Sequence, residues 1–122
     1  MTKKYDVTVL ICVHSTNYDH DFLLVKSLKS LENQTYRNFK TLLVLDECWD
    51  NTKKIVTHTN FDLDIEILEK GNRCGHWNSK NFGLSFVKTK LVSFLDADDL
   101  YCQDKLEKQL EFINNNLSLI HI

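Results

Sequence analysis

The 122-residue chain contains no proline and only three glycines, all between positions 71 and 83. The missing proline points to no particular function. The glycine distribution excludes more. After the first apolar run, Val13-His-Ser-Thr-Asn-Tyr contains no glycine, so neither the dinucleotide fingerprint nor the P-loop applies there. Four cysteines, at 12, 48, 74 and 102, form no Cys-x-x-Cys pair, and their spacings of 36, 26 and 28 residues do not resemble a disulfide scaffold, so reduced thiols are expected. No apolar stretch approaches the roughly 18 to 20 residues of a membrane span. Met1-Thr-Lys-Lys-Tyr-Asp leads into a short strand pattern rather than a signal segment, which reads as cytoplasmic. A formal net charge of −2, with 26% charged residues of mixed sign, favours no nucleic-acid partner.

What is present is enough apolar residue, 43%, for one core in a single domain over residues 1–122. Val7-Thr-Val-Leu-Ile-Cys-Val13 is nearly continuous and β-branched, as expected of a central strand buried on both faces. Phe22, Leu23, Val25, Leu28 and Leu31 then recur at helical spacing, with Asp21 as the expected cap. Phe39 to Leu45 reads as a second strand ending at Asp46-Glu47, and Asn51 to His58 as a short helix capped by Asp50. Ile65 to Leu68 reads as a third strand and Leu91 to Leu95 as a fourth. A loop and a helical pattern through Phe82, Leu84, Phe86 and Val87 lie between them. A helix over Gln103 to Asn115 and a fifth strand over Leu117 to Ile122 complete the pattern. Strands alternating with helices predict an α/β fold: an open, mostly parallel sheet with helices on both faces.

Leu91-Val-Ser-Phe-Leu-Asp96-Ala-Asp98-Asp99 carries the clearest chemistry. Side chains alternate along a strand, so Asp96 and Asp98 leave its end on one side, about 6 to 7 Å apart while extended. Hard cations such as Mg²⁺ or Mn²⁺ take oxygen ligands and, near nucleotides, sit between one or two carboxylates and the phosphates. A solvated acidic turn whose Asp99 caps the following helix fits the same residues. In open α/β sheets, ligands bind outside the carboxyl ends of the strands. His14 to Asn17, Asp46 with Glu47, Gly71 to Asn81, and Asp96 to Asp99 all fall at that edge. Without a glycine-rich cradle, phosphate charge has to be met by the metal.

An ordered set of motifs runs through the chain: Gln34-Thr-Tyr-Arg-Asn38-Phe39, a strand ending at Asp46, Ser79-Lys80-Asn81-Phe-Gly83, and Phe94-Leu-Asp-Ala-Asp-Asp99. The set resembles family 2 glycosyltransferases over about residues 7 to 115. The resemblance implies the GT-A fold and a nucleotide-diphospho-sugar donor, with a UDP-sugar favoured. It implies that Asp46 bonds the base, that Lys80 stands where arginine is usual near the nucleotide, that Asp98 ligates Mn²⁺ or Mg²⁺, and that Asp96 reaches the ribose or a metal-bound water. The family's Pro-x-Tyr-Asn is replaced by Cys12-Val-His14-Ser15, which puts His14 at the nucleotide. Its acidic pair followed by Gly-Ser is replaced by Asp46-Glu47-Cys48-Trp49, where Trp49 either stacks on a base or covers the core edge.

Inverting transfer needs a general base for the acceptor hydroxyl. The family's base lies downstream of the metal motif, so this chain is expected to be a donor-binding half, truncated after that motif and the following helix, with little activity of its own. The acceptor, a glycan or a lipid-linked molecule that would bring the protein to a membrane surface, is not specified. Two rivals stand beside this reading. One is a non-catalytic α/β module, or inactive remnant, whose incomplete sheet edge pairs with another chain in an oligomer. The other is a zinc site drawn from Cys12, His14, Cys48, Cys74, His76 and Cys102.

Overall fold

The computed structural model describes residues 5–71 and 78–116. In chain order they form β1 (Val7–Val13), α1 (Tyr18–Glu32), β2 (Phe39–Asp46), α2 (Asp50–His58), β3 (Ile65–Lys70), α3 (Ser79–Leu84), β4 (Leu91–Asp96) and α4 (Lys105–Asn115). The four strands make one parallel sheet in the order β3-β2-β1-β4. The fifth strand expected at 117–122 lies outside the described residues.

Both faces of β1 are buried, which is why its sequence shows no polar alternation. Val7, Val9, Ile11 and Val13 meet Leu24, Leu28 and Leu31 of α1, Val56 of α2 and Leu106 of α4 in the main core. Leu10 and Cys12 point the other way, into a smaller core with Leu42, Val44, Phe82 and Val87. Each fully buried leucine, valine or isoleucine of this kind stabilises the fold by about 1.5–3 kcal/mol before entropy is counted. Helices therefore cover both faces, as the α/β pattern predicts. No helix among the described residues is long and apolar enough to cross a membrane.

Three helix starts differ from the sequence expectation. α1 begins at Tyr18, and its cap is Asn17, whose side chain accepts the His20 N–H at 2.9 Å. Asp21 instead lies inside the helix, on the buried face it shares with Leu24, Ser27, Leu28 and Leu31, while Phe22 is 60% exposed. Asp50 is the first residue of α2 rather than its cap, and Trp49 at the cap position makes no side-chain cap bond. α4 starts at Lys105, so Asp99 does not cap it, and Asp104 makes no side-chain cap bond either.

The connections through β1, β2 and β3 step outward on one side, and β4 returns to the opposite side of β1. Strand order thus reverses between β1 and β4, where an open α/β sheet leaves its crevice. Register sets the strand ends level: Cys12 pairs with Asp96, Val13 with Leu45, and Asp46 with Lys70.

Candidate functional site

At the reversal point a cleft of about 370 Å³ is lined by Cys12, Val13, His14, Ser15, His20, Leu23, Asp96, Ala97 and Asp98. His14, Asp96 and Asp98 are thus brought together. Asp96 is the last residue of β4, and the chain turns at once, with the Asp99 N–H donating to the Asp96 carbonyl at 3.0 Å. The turn is tied to α1 by Ser27, whose buried hydroxyl lies 2.8 Å from the Ala97 carbonyl and 2.5 Å from that of Asp99. Both carboxylates face solvent.

On the opposite rim His14 Nδ1 lies 2.9 Å from the Asp46 carbonyl oxygen. A carbonyl only accepts, so Nδ1 is the donor in this contact. The Asp46 carboxylate accepts from the Ser79 hydroxyl at 2.6 Å and lies 3.7 Å from Lys70 Nζ. Its position is therefore set by α3 and β3, while its backbone holds His14. Neither Asp46 nor Lys80 lines the cleft; the Lys80 ammonium stands 5.4 Å from the centre of the Phe94 ring.

The loops after β1 and β2 are fastened to each other. Ser15 N–H donates to Cys48 Sγ at 3.4 Å, Cys48 Sγ donates to the Val13 carbonyl at 3.3 Å, and Trp49 N–H donates to the Ser15 carbonyl at 3.0 Å. The Trp49 ring packs edge-on against Tyr18 with centroids 4.9 Å apart, and its indole N–H donates to Asp21. It lines a different hollow, of about 560 Å³, beside α2 and Lys70.

Two carboxylates at a strand end, open to solvent, suit a hard divalent cation whose remaining ligands come from phosphate and water. Among the described residues no group of three His, Cys, Asp or Glu side chains converges on one point. The thiols do not assemble a zinc site there. Burial pushes the Cys12 thiol up; Lys80 opposes this and the Asp46 and Asp96 charges reinforce it, so Cys12 stays protonated. Burial likewise raises Cys48, which is engaged with Val13, and Cys102 is exposed in the loop before α4. Cys74 and His76 lie outside the described residues.

Residues 9–120 match the model of glycosyl transferase family 2. The chain belongs to that family. It is 28% identical over 113 residues, 92% of its own length, to WfgD of Escherichia coli, a UDP-Glc:alpha-D-GlcNAc-diphosphoundecaprenol beta-1,3-glucosyltransferase of which it spans 44%. Staphylococcus aureus TarS 1-349 in complex with UDP-GlcNAc has a TM-score of 0.74 at 23% identity, with 92% of this chain and 32% of that one covered. The mannosyltransferase PcManGT from Pyrobaculum calidifontis, in complex with GDP-Man and Mn²⁺, has a TM-score of 0.72 at 24% identity, with 88% and 32% covered. These likenesses show the GT-A fold. The chain spans less than half the length of the curated relatives it matches.

In this family 2 chain the Gln34-Thr-Tyr-Arg-Asn38 stretch has a structural task. The buried Gln34 amide donates to the Cys102 carbonyl at 2.7 Å and its oxygen accepts the Leu106 N–H at 3.1 Å, so it caps α4 from a distance. Tyr36 and Asn38 both donate to Asp6. The Gln34 bonds fix the segment that follows the acidic turn, and the Tyr36 and Asn38 bonds tie the start of β2 to the residue before β1. Sequence reasoning assigned no role to His20, Ser79 or Lys70 near the site. Of these only Ser79 carried a signal, as the first residue of the Ser79-Lys80-Asn81 motif.

Proposed function

We propose that this chain is the donor-binding half of a family 2 glycosyltransferase and that its cleft binds a nucleotide-diphospho-sugar, with a UDP-sugar favoured. The observation that carries the reading is the placement of Asp96 and Asp98 opposite His14, in the crevice between β1 and β4. Asp98 is the direct ligand of Mn²⁺ or Mg²⁺, and Asp96 assists it or reaches the ribose. A divalent cation held there supplies positive charge to the donor diphosphate and to the nucleoside diphosphate that leaves. Mn²⁺ in the PcManGT complex and UDP-GlcNAc in the TarS complex support this assignment by likeness, as does the UDP-sugar named for WfgD.

The other residues act on the nucleoside. Asp46 accepts from the base, its carboxylate held in place by Ser79 and Lys70. His14, held through Nδ1, presents its ring at the same end, and Lys80 supplies a cation on the α3 side. Transfer is inverting, and the acceptor hydroxyl is deprotonated by a base that is none of these residues. The acceptor is a glycan or a lipid-linked glycan.

Isothermal titration of UDP and UDP-sugars, with and without Mn²⁺, tests the reading on wild type and Asp98→Ala. Binding that needs Mn²⁺ and weakens about tenfold or more in the variant is expected from losing one of two protein ligands. Equal binding by both proteins would sink the ligand role of Asp98.

A further inference from the structure

Asp21 is 1% exposed, yet none of its four hydrogen-bond partners is charged. Its Oδ1 accepts from the Ser15 hydroxyl and the Thr52 hydroxyl, each at 2.6 Å. Its Oδ2 accepts from the Trp49 indole at 3.0 Å and from the Asn51 amide at 2.9 Å. A buried carboxylate is costly unless its oxygens are fully bonded, and four donors meet that need. Those donors come from the loop after β1 and from the start of α2, so one side chain of α1 holds both. Ser15 and Trp49 are also two of the positions where this chain departs from its family's wording.

Six residues further along the same buried face of α1, the single Ser27 hydroxyl proton is shared within reach of the carbonyls of Ala97 and Asp99, both closer than that of Leu23 in its own helix. One helix therefore grips both rims of the cleft, the His14 side through Asp21 and the acidic turn through Ser27. We propose that Asp21 is a positioning residue that fixes the width and shape of the donor cleft before ligand arrives. This inference rests on the donor-site reading above. Its chemistry is preorganisation: groups that bind one ligand must be held by packing and hydrogen bonds behind them.

The test compares three variants by titration of UDP with and without Mn²⁺. Asp21→Leu leaves four donors without an acceptor and is expected to bind UDP about 10- to 100-fold more weakly, the scale of a misplaced site. The ratio of affinities with and without Mn²⁺ should stay at the wild-type value, because Ser27 still holds the acidic turn. Asp21→Asn should recover most of the affinity. Its amide oxygen can face Trp49 and Asn51, whose N–H groups only donate, while the Ser15 and Thr52 hydroxyls rotate to accept from its NH₂. Should Asp21→Leu fail to fold, Trp49→Phe decides the matter, since it deletes one donor and keeps a ring; a weakening of a few fold is expected.

A folded Asp21→Leu that binds UDP as wild type does would overturn the inference, and so would Asp21→Asn falling as far as Asp21→Leu. Where Asp21→Leu does not fold, wild-type affinity in Trp49→Phe would overturn it. Wild type that shows no Mn²⁺-dependent binding is a different failure. It removes the donor-site reading, and the positioning role falls with it.

Discussion

Replacing Gln34 with leucine should weaken the whole fold mainly through the two polar groups that the amide bonds most closely, the Leu106 N–H and the Cys102 carbonyl, its third contact to the Ser30 carbonyl being long at 3.4 Å. Gln34 is 3% exposed. The Leu106 N–H that it accepts is buried and belongs to the first turn of α4, where the chain's own cap residue makes no side-chain bond. Leaving a buried donor unmade costs about 1–3 kcal/mol. The Cys102 carbonyl is only part-buried, so losing its partner costs about 1 kcal/mol. Leucine fills a similar volume, so no large cavity term is added, and the sum is about 2–4 kcal/mol against a typical total of 5–15. Urea unfolding reads this directly: with a slope of about 2 kcal/mol/M, the middle of the usual range, the midpoint should fall by about 1–2 M. Hydrogen exchange at the Leu106 amide should quicken first. A variant within about 0.5 kcal/mol of wild type would refute the reasoning, since surface substitutions commonly fall in that range.

Two further predictions concern close packing and acid stability. At Gly83 an added Cβ would stand 2.6 Å from Leu10 Cδ1 and 2.9 Å from Val44 Cγ2. The overpacking cost of about 1–3 kcal/mol exceeds the gain of about 1 kcal/mol in helix propensity, so Gly83→Ala should lower Tm by several degrees in a calorimetric scan; an unchanged or raised Tm contradicts this. For Asp21, burial alone would raise the carboxyl, but the bonds from Ser15, Thr52, Asn51 and Trp49 outweigh it and hold it below the ordinary aspartate value. With the folded value depressed, the stabilisation is fully present above the unfolded value of about 4 and is lost as pH falls through the folded one. Acid unfolding of wild type should therefore show a component below about pH 4 that Asp21→Asn lacks, and superimposable curves would count against it.

Much of the fold was legible because its signals are local. The unbroken apolar run of β1 required burial on both faces, and β1 does lie between β2 and β4 with a core on each side. His14, Asp96 and Asp98 were read at one sheet edge, and they share one cleft. Asp21 was misread for a physical reason. An aspartate just before an apolar helical run is an ordinary cap signal, and nothing nearby announces that Trp49, Asn51 and Thr52 arrive from about thirty residues later to bond it. The buried face of α1 was likewise shifted. Phe22 fits the periodicity, but the sheet meets Leu24, Leu28 and Leu31.

The sequence by itself determined the family, the strand and helix order, and the acidic turn, because each is written in residues that are neighbours in the chain or lie at fixed periods along it. Only the tertiary structure decided that β4 returns beside β1, that Asp46 is held by Ser79 and Lys70, that Trp49 packs on Tyr18, and that Gln34 caps α4. These facts depend on which donors and acceptors meet across the folded chain. A buried carboxylate or amide takes whatever partners packing brings to it, and the local spelling of the sequence does not carry that information.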